Sequence, residues 1–474
     1  MENRPLKAHI WLDTALAAAA ALSCALMLRA ACVFVLNDPE TRGWVICAGG
    51  ALLAIALCPL AARLTDRLRG RALAAVAFLL AFAVRAAFVL EADSVPASDF
   101  GLQYFAAEAL ASGDAAALTG EYFSRWGYQI PFVLYESLVI ALGGGVTALG
   151  LLNALWGALT AVCVFLLARR FAGAGSAFAA AALYALCPGA VLLTPVLTGQ
   201  CISLFFLTLA LLLCARGGWK WGALAGVSLA FGNLMRPEAI LVLCGLLAAL
   251  VLPLLERREG WRPLLLRFAA LIAGYVLFTA LFKAGIVLSG AAPGGAGNAV
   301  PEWKFVLGLD TATLGRYDPK MEYILSIADP EARRAAAAEA IRASLGSCEN
   351  LFGFFWDKTE RFWGAYEESW LGVTSEYIYP LRFFERIFFT AASLLALIGC
   401  LGRRESRAET AARGVVFANF FVYLFIEVQP RYRYFVWPFL LMLAAAGIKR
   451  LCALVRGGRK TAPAASGHRR GERV

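Results

Sequence analysis

Histidine is almost absent from this chain. His9 and His468 are the only two in 474 residues, and both lie near the ends. The body of the chain therefore offers no histidine metal cluster and no histidine general base. Charge is scarce too: 16% of residues are Asp, Glu, Lys or Arg, against about 25% in an average soluble protein. With 61% apolar residues and a mean hydropathy of +0.69, this excludes a soluble globular protein, a disordered chain and a secreted disulfide scaffold. It leaves a polytopic membrane protein. The twelve cysteines do not make a framework. Eleven fall in or beside apolar runs or in the basic tail region, and Cys348 alone lies in a long polar segment, so they read as small apolar packing residues. No P-loop, zinc-spacing cluster, nucleophile triad or internal repeat is present.

What is present is a series of apolar runs. Twelve are candidates for membrane-spanning helices: about 11–36, 44–62, 72–90, 146–168, 175–195, 200–215, 221–235, 237–254, 264–289, 386–402, 413–428 and 434–449. The first is too long for a cleaved signal peptide and continues into a second span. The expected fold is all-α, a polytopic transmembrane helical bundle of about twelve spans with helical outer-face loops. Residues 1–70 hold two N-terminal spans, 71–290 the membrane core with a first outside loop at 91–145, 290–385 a large outside cap, 386–450 the C-terminal spans, and 451–474 a basic tail expected to be disordered.

The positive-inside rule orients the bundle with both termini cytoplasmic. On that reading 26 of the 44 Lys and Arg lie inside with 8 acids, and 15 lie outside with 25 acids. The net charge of +11 is then mainly a cytoplasmic contact with membrane lipids, and no nucleic-acid partner is implied. In the cap, Asp329-Pro330-Glu331 opens a strong helix signal that Gly346 closes.

The first outside loop carries the chemistry. Ser98-Asp99-Phe100 follows the third span, so Asp99 is placed just beyond the membrane surface, where it also suits the N-cap of a helix running through Tyr104 to Gly113. A second short apolar segment, from Trp126 to Gly143, suits a helix lying in the interface. Cations at outside span ends are Arg236, beside Glu238, then Arg431 and Arg433 around Tyr432, and Lys283. Arg85 is charged within the third span, which by default marks function or buried pairing. Tyr104, Arg125, Tyr128, Trp303, Lys304, Lys358 and Arg361 are further loop residues able to touch a substrate.

These motifs resemble, in order, the GT-C membrane glycosyltransferases that use polyprenyl-phosphate sugars, the group of protein O-mannosyltransferases and the lipid A aminoarabinose transferase (glycosyltransferase family 39-like). The resemblance runs from about residue 72 to 450. It rests on Ser98-Asp99, Ala107–Gly113, Gly127-Tyr128 with Pro131-Phe132, Asn153 through Arg169-Arg170-Phe171, Leu186-Cys187-Pro188, Met235-Arg236-Pro237, Gly308-Leu309-Asp310 with Gly315-Arg316-Tyr317, and Pro430-Arg431-Tyr432-Arg433. Phe100 stands where many relatives have an acid, and Gly150 where they often have an arginine.

The resemblance implies a GT-C fold and an enzyme of the cell membrane. The enzyme would be a hexosyl- or pentosyltransferase that takes sugar from a polyprenyl-phosphate donor to a protein, lipid or glycan acceptor at the outer face, with inversion. Such a transfer needs a carboxylate to take or orient the acceptor proton, a role that falls to Asp99. It also needs cations to hold the phosphate, a role for Arg236, Arg431, Arg433 and Lys283. No metal ligands are identified, and a divalent metal as cofactor stays open. The rival readings are a multi-spanning transporter or lipid flippase, which would show paired charges deep in the spans and an inverted repeat, and a polysaccharide polymerase or ligase of the same broad type.

Overall fold

The computed structural model describes residues 7–36, 43–114, 116–255, 260–292, 294–364 and 372–455. Its helices in chain order are α1 (Lys7–Leu36), α2 (Gly43–Thr65), α3 (Gly70–Glu91), α4 (Ser98–Ala111), α5 (Glu121–Arg125), α6 (Ile130–Ala141), α7 (Val146–Ala172), α8 (Ala174–Ala185), α9 (Pro188–Leu192) and α10 (Gln200–Cys214). They continue with α11 (Trp219–Met235), α12 (Ala239–Leu255), α13 (Trp261–Leu288), α14 (Trp303–Gly308), α15 (Tyr323–Ser326), α16 (Pro330–Gly346), α17 (Leu351–Gly364), α18 (Ile378–Cys400), α19 (Arg407–Val422) and α20 (Trp437–Val455). The fold is all-α. Among the described residues its one sheet is a two-residue antiparallel ladder, β1 (Asp93–Ser94) on β2 (Val373–Thr374).

Each of the twelve apolar runs contains helix, although α19 stops at Val422, six residues short of the end of the run at 413–428. Among the described residues, seven helices are long and apolar enough to cross a membrane: those at α1, α2, α3, α7, α13, α18 and α20. The run at 175–195 is not one helix. It breaks into α8 and α9 at Cys187-Pro188. Pro188 has no N–H to give to the carbonyl of Tyr184, four residues earlier. The buried Arg85 of α3 repairs the break, donating to the carbonyls of Tyr184 at 2.9 Å and Ala185 at 2.8 Å. The charge within the third span is thus a strut between two helices. The C-terminal runs are also shifted. α18 begins eight residues and α19 six residues before the expected start, because their first turns are amphipathic and fall outside an apolar window.

Close packing depends on small residues, as expected where lipid supplies no hydrophobic drive between helices. α18 crosses α20 at Gly399 and Gly447. A Cβ at Gly399 would stand 2.0 Å from the Leu443 carbonyl, and one at Gly447 would stand 2.0 Å from the Leu395 carbonyl. The segments read as one side of the membrane meet at one end of the bundle. There Arg404 pairs with Asp13 at 2.6 Å, Arg413 with Glu409 at 2.7 Å, and Lys449 with Glu405. Arg170 and Arg63 donate to the carbonyls of Ala215 and Cys452. Of the tail read at 451–474, residues 456–474 lie outside the described residues.

The opposite end carries the two long loops. α4, α5 and α6 form one layer. The cap at 290–385 is helical, with a small core of Val300, Trp303, Val306, Leu307, Ile324 and Ala337. Its main helix is the one expected: α16 runs Pro330–Gly346, and the Asp329 carboxylate accepts from the Ala332 N–H at 2.9 Å.

Candidate active site

The chain reaches Asp99 under tight control. After α3, the Val95 N–H donates to the Gly372 carbonyl at 2.9 Å, the Ser94 hydroxyl to the Pro195 carbonyl at 2.9 Å, and the Ser375 hydroxyl to Glu91 at 2.6 Å. α4 then starts at Ser98, with Ala97 in the cap position, so Asp99 lies in the first turn and is not the N-cap. The chain is extended through Ala97, and the helix begins two residues sooner than an N-cap at Asp99 would place it. The exposed carboxylate of Asp99 still complements the positive end of the helix. Ser98 adopts φ +54; the other non-glycine residue with positive φ among the described residues is Leu314, at +55. Such backbone costs roughly 1–2 kcal/mol for an L-residue, and both cases sit on segments leading to the same place.

That place is lined by tyrosines. The charge of Asp99 acts on the hydroxyls of Tyr122, Tyr128 and Tyr317. Tyr122 accepts from Gln103 Nε2 at 2.9 Å. Burial pushes the Tyr122 and Tyr128 hydroxyls up, and for Tyr128 Lys304 and Arg236 pull the other way. Tyr128 is thus within the fields of both the acid and the cations.

The cations gather on Tyr432, in the 3₁₀ turn Pro430–Phe435. Lys304 Nζ donates to the Tyr432 hydroxyl at 3.0 Å and is ion-paired with the buried Glu427. Burial pulls the Lys304 ammonium down, but Tyr432 and Glu427 outweigh it and hold the charge firmly. The Arg236 guanidinium lies 5.3 Å from the Tyr432 ring centre and that of Arg431 5.8 Å. Arg431 also lies 5.4 Å from the ring of Phe100, the residue next to Asp99. Close to Arg236, in the turn before α12, burial raises the Glu238 carboxyl to about 7 while Arg236 opposes the shift. Tyr423 donates to Glu238 at 3.3 Å.

The remaining candidates have other contacts. Arg433 is buried and bound to Glu385 at 3.2 Å, the Trp363 carbonyl at 2.9 Å and the Pro430 carbonyl at 3.1 Å. Lys283 is exposed on α13. Trp303 is the core of the cap. Tyr104 is buried with Leu149 and Leu197. Arg125 pairs with Glu121 at 2.5 Å on α5. Lys358 is fully buried and donates to the Gly308 carbonyl. Arg361 is half-buried on α17. Tyr122, Tyr317, Glu427 and, as a partner of Tyr423, Glu238 emerge only in three dimensions. The neighbouring motifs, Gly127-Tyr128, Gly315-Arg316-Tyr317 and Pro430-Arg431, were the available signal. Among the described residues, no three of His, Cys, Asp and Glu are grouped to hold a metal ion.

The arrangement joins a carboxylate at residue 99 to cations at 236, 304 and 431, with phenol hydroxyls between. It can orient a hydroxyl at the acid and hold an anion at the cations.

Residues 131–283 match the family model of dolichyl-phosphate-mannose-protein mannosyltransferases. The matched segment runs from α6 to α13 and includes Arg236. The resemblance to GT-C polyprenyl-phosphate-sugar glycosyltransferases read from the motifs is borne out by this match. Among solved structures the chain is similar to an archaeal oligosaccharyltransferase, AglB from Archaeoglobus fulgidus, in complex with an inhibitory peptide and a dolichol-phosphate. The identity is 13% and the TM-score 0.42, over 83% of this chain and 52% of that one. The chain thus spans about half the length of that protein. No curated protein matches.

Proposed function

We propose that the chain is a membrane glycosyltransferase. It moves a hexosyl or pentosyl group from a polyprenyl-phosphate donor to a hydroxyl of a protein, lipid or glycan at the outer face of the membrane. The acceptor oxygen attacks the anomeric carbon as the bond from that carbon to the phosphate oxygen breaks, so the configuration inverts. Asp99 takes the acceptor proton or orients the hydroxyl, and the bonding electrons leave with the phosphate. Arg236, Lys304 and Arg431 hold the growing negative charge where burial strengthens the interaction.

The observation that supports this reading most is the approach of Arg431, between the last spans, to Phe100 beside Asp99, with Arg236 and Lys304 on the same Tyr432 ring. An acid and a cluster of cations drawn from distant parts of the chain fit a transfer between a hydroxyl and a phosphate. The excess of acids in the loops at that end supports the outer face.

The test uses the purified chain in proteoliposomes with a radiolabelled polyprenyl-phosphate sugar pool and an envelope extract as acceptor. Sugar appearing in acceptor, with release of polyprenyl phosphate, is the expected result. Movement of label across the bilayer without transfer would contradict it and favour a flippase.

A further inference from the structure

The two N-terminal helices lie outside the motif resemblance, yet α2 packs against α8 and α18. Between these three helices runs an apolar groove of 260 Å³. Its floor on α18 is Leu381, Phe384, Phe388, Ala391 and Leu395, a stripe that runs for about 21 Å of helix. α2 contributes Ala54 and Cys58, and α8 contributes Leu183. On the rim, Leu186 is 50% and Phe384 55% exposed, so the groove opens sideways at the bundle surface.

One end of the groove is polar. Pro188 and Phe384 line the groove, and their chain neighbours Gly189 and Glu385 line a small adjoining pocket with Arg431, Arg433 and Trp437. The Phe388 and Trp437 rings, one in each cavity, are 5.4 Å apart. The pocket wall holds two guanidiniums against one carboxylate, and Arg431 is the same residue that reaches Phe100. An apolar slot ending at an excess of positive charge is complementary to an anionic head on a long hydrocarbon tail.

We propose that this groove takes the polyprenyl tail of the donor, so that α2, an element outside the motif resemblance, forms one wall of the donor site. The proposal rests on the transferase reading above. The head lies toward Arg431, the sugar beyond it toward Asp99 and Tyr128, and the tail descends between α2 and α18. Each methylene of tail packed there exchanges loosely packed lipid chains for a fixed apolar wall, so the gain is in dispersion contacts, which slow dissociation.

The test is photolabelling of the full chain in nanodiscs with a polyprenyl phosphate, free of sugar, that carries a diazirine in its tail. Label is expected on the peptides covering 43–65 and 378–400. Excess unlabelled polyprenyl phosphate should suppress it, and excess phosphatidylglycerol should not. Ala54→Trp fills the groove from α2, and Ala391→Trp fills it from the opposite wall. Each should lower the preference for a long-chain over a short-chain donor, read as the ratio of their kcat/KM values, by about tenfold, through loss of packed contacts.

Labelling elsewhere on the bundle, or equal competition by phosphatidylglycerol, would overturn the proposal and make the groove an ordinary lipid site. So would an unchanged chain-length preference in both variants, or loss of both donors alike in both. If the wild-type chain transfers sugar while the label misses α2, the groove assignment fails and the transferase reading stands. If it neither transfers sugar nor binds polyprenyl phosphate, the transferase reading fails first.

Discussion

Arg236 and Glu238 flank a single proline, and their opposite charges make the donor site sensitive to pH. The Glu238 carboxyl is raised by burial to about 7, so below that pH it is neutral and Arg236 acts as an uncompensated cation. As pH rises through about 7 the carboxylate forms and offsets it. Donor KM is therefore expected to rise above neutrality in the wild type and to lose that dependence in Glu238→Gln, measured as donor KM from pH 6 to 8.5. Stability follows the same sign. The folded chain holds this proton more tightly than the unfolded chain, whose glutamate titrates near 4.3, so the contribution of Glu238 is lost as pH rises from about 4.3 to about 7. The cations divide by partner. Arg236→Gln or Arg431→Gln should weaken donor binding by roughly 1.5–3 kcal/mol if a charge-assisted bond is lost, whereas Lys283→Gln, on an exposed face of α13, should leave a donor-binding isotherm unchanged. Arg433→Gln should act first on folding, since it breaks a buried ion pair with Glu385 and bonds to the Trp363 and Pro430 carbonyls, at a cost of about 3–5 kcal/mol.

Among the helices, the break between α8 and α9 is held by one side chain. Arg85→Met removes hydrogen bonds to the buried carbonyls of Ala81, Tyr184 and Ala185; the Tyr184 carbonyl keeps the Cys187 N–H at 3.3 Å, and a buried carbonyl left unmet costs about 1–3 kcal/mol. Thermal unfolding of the variant should show a clear loss of stability, and an unchanged midpoint would mean that water or a shifted α9 satisfies those carbonyls. The Lys358 amine has the opposite logic to Glu238. Burial lowers it to about 7, so between about 7 and 10 the unfolded chain binds the proton and the folded chain does not. Its contribution to stability therefore rises with pH through that window, a slope that Lys358→Met should flatten in melts between pH 7 and 9.5. Much at this scale was legible in the sequence. The apolar runs contain helix, and Asp329 caps α16 as its neighbours suggested. What was not legible came from tertiary forces. The chain, extended through Ala97, moved the start of α4, which took the cap role from Asp99. Leu186-Cys187-Pro188 was visible as a motif, but the break needed Arg85, a hundred residues away.

Across the whole molecule, the two ends of the bundle differ in kind, one held by arginine and acid pairs and the other carrying Asp99 and the tyrosines around it. Asp99, Arg236, Arg431, Tyr128 and Lys304 could each be picked from their motifs, because each sits at a polar break between apolar runs. That Lys304, first read as one of seven loop contacts, stands with Arg236 on one tyrosine ring, while Arg433 turns away to Glu385, depends on pairings more than forty residues apart that no local pattern encodes. The orientation has its own check in Cys348, at the junction of α16 and α17. An impermeant thiol reagent should label it in intact cells, and labelling only after permeabilisation would invert the topology. The most direct test of the account compares wild type and Asp99→Asn as purified proteins, measuring sugar transfer and donor affinity on the same samples. Loss of a general base typically costs 10²–10⁴ in rate, so turnover should fall by at least about a hundredfold while donor affinity and the melting midpoint stay near wild type. Near wild-type transfer by Asp99→Asn would remove Asp99 from the mechanism and contradict the account.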